Sequence, residues 1–67
     1  MSLTVGEAQH VNTIVKYWLQ ITRDGLSVPT DDQVVDAMAE MADRATKTLM
    51  ASVNGDDVRK AWARRQR

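Results

Sequence analysis

The sequence predicts an all-α fold: a helical hairpin followed by a short third helix, which pairs with a second copy into a four-helix bundle. Three observations carry that expectation. Apolar residues recur three and four apart over two long stretches, the spacing of one face of a helix. Helix-start signals stand at Thr4, Thr30 and the pair Asp56-Asp57, where a short polar side chain can accept from an otherwise unpaired backbone N–H. Gly25, Pro29 and Gly55 punctuate the chain between these stretches, and glycine and proline are the strongest local breakers. The predicted helices cover about 5–24, 31–53 and 56–66 of a single domain spanning 1–67.

Thr4 and Glu7 fit a capping box at the first start, hydroxyl and carboxylate each answering a backbone N–H of the other. Val11, Ile14, Trp18 and Ile21 then form the apolar stripe, widened by Ala8, Val15 and Leu19. Gly25 suits the left-handed conformation that closes a helix, with Leu26 folding back onto Ile21. The second helix opens with Thr30 as cap, Asp31 and Asp32 in the first turn and Gln33 at the capping-box position. Both aspartates would face the positive end of the helix dipole. From there to Val53 no residue breaks a helix, and five alanines favour one. Glu40/Arg44 and Asp43/Lys47 stand four apart and mark its solvated side. Asn54-Gly55 stops it, and Asp56 and Asp57 cap and charge the start of the third helix, of which only Val58, Ala61 and Trp62 share an apolar side, so this helix is expected to dock along an edge and contribute little core.

Size and composition narrow the function classes. A chain of 67 residues builds a core that rarely contributes more than about 3–5 kcal/mol. With no Cys and one His, neither a disulfide nor a thiolate or paired-histidine metal site can supplement it. Self-association is the remaining device. The apolar arcs of the first two helices also span more than one neighbour covers, so Val11, Ile14, Trp18, Ile21, Met38 and Met41 are the expected self-association residues. The alternative is a monomeric three-helix bundle closed by Trp62. No apolar run approaches the roughly 18 residues of a membrane span, and the N-terminus lacks a signal-peptide pattern. The expected setting is the cytoplasm, away from membranes.

Catalytic chemistry is not expected. His10 has no orienting partner or nucleophile in sequence, as a general base requires, and reads as a rim residue. Asp36, Glu40 and Asp43 make an acidic row without the Glu-x-x-His pattern of carboxylate metal bundles, so neither metal nor cofactor is expected. The three methionines of the second helix, Met38, Met41 and Met50, read as core filling.

The charge pattern points at a partner. Val58 to Arg67 carries Arg59, Lys60, Arg64, Arg65 and Arg67 with no acid, on a chain of zero net charge, while residues 31–57 hold seven acids against Arg44 and Lys47. Cations near a helix C-terminus are favoured by the dipole, which accounts for part of the cluster. The rest suits either an acidic protein surface or phosphate. Val28 to Val35 resembles a helix opening in the helix-turn-helix regions of bacterial sigma factors, but the Leu-Gly that closes that helix is replaced by Met38-Ala39-Glu40. No function is carried over. The expectation is a small non-enzymatic accessory or regulatory protein that works by protein–protein interaction and self-association. The alternative is nucleic-acid binding through the basic third helix, against which neutral overall charge argues.

Overall fold

The chain forms three helices, α1 (Val5–Arg23), α2 (Asp32–Thr48) and α3 (Gly55–Arg65), in a computed structural model that describes residues 2–25, 30–50 and 52–65. α1 and α2 form the expected antiparallel hairpin, and α3 returns along both of them. The long dimension is 34 Å, close to the roughly 30 Å that a 19-residue helix at 1.5 Å per residue implies.

α1 begins as its sequence dictates. The Thr4 hydroxyl accepts from the Glu7 N–H at 3.2 Å, and the Glu7 carboxylate accepts from the Thr4 N–H at 3.0 Å. The backbone N–H of Thr4, then its hydroxyl, hold the Glu7 carboxyl below the ordinary glutamate range. Asp24 caps the far end, and Gly25 takes a φ of 78°, a value that costs a residue with a Cβ. The proposed Leu26–Ile21 contact lies outside the described residues, as do Val28, Pro29, Gln66 and Arg67.

Three expectations change. The cap of α2 is Asp31, whose carboxylate accepts from the Val34 N–H at 2.9 Å. Thr30 is drawn toward α1 instead, its hydroxyl accepting from the Trp18 indole N–H at 3.3 Å. The second correction concerns length, since α2 ends at Thr48 rather than near Val53, with Leu49 already extended. A helix continued to Val53 would carry the chain about 15 Å beyond Asp43, yet the Gly55 N–H donates to Asp43 Oδ1 at 2.8 Å. The chain must therefore double back early. A polar knot holds the reversal: Thr46 Oγ1 donates to the carbonyls of Ala42 and Val53, Ser52 Oγ donates to Thr46 Oγ1, and the Val53 N–H donates to Asn12 Oδ1.

The third correction is the weight of α3. Val58 is fully buried, one of the two largest side chains so enclosed, the other being Val15. They sit in one cluster with Trp18, Val35, Ala39 and Ala42, on which Val11, Leu19, Met38, Val53, Ala61 and Trp62 pack. Small residues on α2 allow that depth. Gly55 lies so close to α2 that a Cβ on it would stand 2.7 Å from the Ala39 carbonyl oxygen and 2.7 Å from an Asp43 carboxylate oxygen. Asn54 and Asp57 close a reciprocal capping box at the same start, and Trp62 Nε1–H donates to Asp32 Oδ1 at 2.8 Å. α3 thus completes the core rather than decorating an edge.

Candidate functional site

α3 meets α2 along Asp32, Asp36, Ala39 and Asp43, one stripe at helical spacing. It meets α1 on the side of Leu19 and Thr22, and Val53, just before it, meets Asn12. At about 100° per residue, Ile14, Tyr17 and Ile21 lie opposite that side of α1, and Val34 and Met41 lie opposite the α3 stripe of α2. Both flanks therefore open on the face of the hairpin away from α3. Ile14 is 50% exposed, Tyr17 68% and Val34 46%, and Ile21 and Met41 are half-buried beside them. No Asp, Glu, Lys or Arg interrupts either flank within those residues. These residues are apolar, while the Arg44 guanidinium borders them 4.0 Å from the Met41 sulfur and exposed His10 lies one turn before Ile14.

The predicted self-association residues divide accordingly. Ile14, Ile21 and Met41 lie on this face, while Val11 and Met38 are half-buried against the chain's own core. Trp18, 6% exposed, is removed from the set by its own packing: its ring lies 6.4 Å from that of Trp62 at 41°. Tyr17 and Val34 belong to the face although they were not among the expected residues. Their signal was the width of the apolar arcs, which exceeded the stripe drawn through them.

The basic residues of α3 do not form one patch. Arg59 faces Asp36 of α2 at 3.7 Å, and Arg65 turns to α1, donating to the Thr22 carbonyl at 3.5 Å. Lys60 and Arg64 are exposed, Arg64 donating from Nε to the Lys60 carbonyl at 3.5 Å at the rim between α1 and α3. Arg67 lies outside the described residues. The acids of α2 are partly spent within the fold, since Asp36 meets Arg59 and Asp43 receives the Gly55 N–H. Neither Glu40/Arg44 nor Asp43/Lys47 closes as an ion pair among the described residues, and those residues contain no group of three or more acids or histidines placed to hold a metal ion. His10 is exposed.

Between α1 and α3, near their C-termini, lies a cavity of about 380 Å³ lined by Leu19, Thr22, Arg23, Gly25, Ala61, Arg64 and Arg65. Sequence reading missed it. Its one advance signal is Thr22, a polar residue four positions after Trp18 on the core stripe. No described helix is long and apolar enough to cross a membrane. Comparison with known proteins finds no matching family model, no matching curated protein and no matching solved structure.

Proposed function

We propose that this chain is a non-enzymatic interaction module that self-associates through the α1–α2 face away from α3, two hairpins forming a four-helix bundle that engages a larger protein. The observation that carries the reading is the exposure of Ile14, Tyr17 and Val34, with half-buried Ile21 on the same side of α1. A two-fold interface sets each residue near the axis against its own copy, so a charge there would meet a like charge. With Arg44 at the margin beside Met41 and no charge among Ile14, Tyr17, Ile21 and Val34, the apolar centre suits a second copy of itself better than a charged partner. The small core supplies the need, because pairing would cover apolar surface that a domain of this size cannot cover alone.

Sedimentation equilibrium at about 10 µM, where a micromolar dissociation constant already populates the dimer, should give twice the chain mass of 7.5 kDa. Ile14→Glu should return it to the monomer while the helical circular dichroism persists. A wild-type monomer at that concentration refutes the four-helix reading. The nucleic-acid alternative is weakened by the division of the basic residues between α1, α2 and solvent. Accordingly, a mobility shift with duplex DNA at low salt should be absent, and a shift abolished by Lys60→Gln with Arg64→Gln would restore that alternative.

A further inference from the structure

We infer that Asn54-Gly55 is a self-modification site, at which asparagine converts to aspartate and isoaspartate, and that Asp43 of α2 holds it closed while α3 is docked. Neither self-association nor a partner is involved. The chemistry needs only the two residues and water. The Gly55 backbone nitrogen attacks Cγ of Asn54, its proton leaves with the side-chain nitrogen as ammonia, and the new C–N bond closes a five-membered imide. Water then opens the ring. Attack at the side-chain carbonyl gives aspartate, and attack at the main-chain carbonyl gives isoaspartate, whose extra methylene lies in the backbone. Glycine at the following position favours closure because no Cβ crowds the attacking nitrogen.

The chain has two asparagines, and their settings differ. Asn12 lies inside α1 and precedes Thr13, a β-branched residue whose side chain crowds its own nitrogen. Asn54 is exposed, so water reaches it, and it precedes glycine. Two contacts oppose the reaction there. The Gly55 N–H donates to Asp43 Oδ1 at 2.8 Å, so removing its proton would set an amide anion beside a carboxylate, a like-charge arrangement that disfavours ionisation. The Asn54 side chain is held too, its Oδ1 accepting from the Asp57 N–H at 3.1 Å, and turning Cγ onto the Gly55 nitrogen breaks that bond. The second contact is local to the first turn of α3, but the first exists only with α3 seated on α2. The lock is therefore tertiary, and its failure is one-way. Aspartate at 54 keeps a capping oxygen. Isoaspartate instead lengthens the main chain where Gly55 has no room, a Cβ there standing 2.7 Å from the Ala39 carbonyl oxygen. That product would lift α3, and with it the fully buried Val58.

Mass spectrometry of the peptide carrying residues 54 and 55, after incubation of the intact protein at neutral pH, reads the gain of one mass unit as ammonia leaves and water enters. The folded protein should react at least about tenfold more slowly than the same chain in guanidinium chloride, the effect of one charge-assisted hydrogen bond. Equal rates overturn the proposal. Asp43→Ala should raise the native rate about tenfold while the helical circular dichroism persists, and an unchanged rate removes Asp43 from its role. If that variant loses helicity, Asp43→Asn, which keeps the side-chain shape without the charge, should still raise the rate about threefold. Trp62→Phe loosens α3 without touching Asp43 and should react as slowly as wild type. A rate matching that of the Asp43 variant would assign protection to general docking and overturn the lock. The isoaspartate product, separated by chromatography, should lose protection of the Val58 amide against hydrogen exchange, and protection equal to that of wild type would overturn the lifting of α3.

Discussion

Gly55 shows most directly how one atom shapes this molecule. Its N–H donates to Asp43, and the space where a Cβ would stand is already taken by the Ala39 carbonyl and the Asp43 carboxylate. Gly55→Ala should therefore destabilise the protein by about 1–3 kcal/mol, the ordinary cost of overpacking, read as a lower midpoint in urea unfolding. Gly6 is the internal contrast. It lies in α1 with nothing within 4 Å of its missing Cβ, so Gly6→Ala should raise stability by up to about 1 kcal/mol through helix propensity alone. The sequence marks both positions identically, as glycines near helix starts. Only the approach of α2 gives them opposite signs.

The elements were legible where local chemistry decides them. Thr4 and Glu7 needed nothing beyond their own turn, and Gly25 took the positive φ its position implied. The ends decided by tertiary contact were not legible. The stretch Leu49 to Val53 reads as helix by propensity, but Thr46, Ser52 and Asn12 bind the reversed chain, and no local pattern announces that knot. Thr30 was similarly diverted by an indole twelve residues away. Trp62 tests how far α3 belongs to the core. Trp62→Phe keeps an aromatic ring toward Trp18 but loses the N–H to Asp32, and should cost about 1–2 kcal/mol. Trp62→Ala removes the ring as well and should cost about 3 kcal/mol, the low end for a large aromatic because Trp62 is only half-buried. Equal costs for both variants, measured by denaturant unfolding, would mean the ring contributes nothing.

At the scale of the whole molecule, electrostatics should matter little to stability. The net charge is zero, and the ion pair among the described residues, Arg59 with Asp36, leaves 46% and 71% of its side chains exposed. Exposed pairs contribute about 0–1 kcal/mol and are screened by salt. Arg59→Gln should change stability by less than about 0.5 kcal/mol, and Tm should be nearly flat between low and moderate salt. A steep salt dependence would mean that charges outside this pair govern the fold. The candidate site divides in the same way as the fold. Apolar width on two helices is legible in residue spacing alone, and it locates Ile14, Ile21 and Met41. The cavity is not legible there, because Thr22 and Arg23 on α1 meet Arg64 and Arg65 only once α3 has docked.

The close approach of α3 to α2 carries an evolutionary consequence. Positions 39, 43 and 55 share one small volume and one hydrogen bond, so they should not drift independently. Among relatives of this chain, a side chain at 55 should appear together with a shorter or uncharged residue at 43 and a displaced α3. Where glycine persists at 55, a small residue at 39 and a hydrogen-bond acceptor at 43 should persist with it. Correlated substitution at these three positions would recognise the fold in sequences too divergent for their overall similarity to show it.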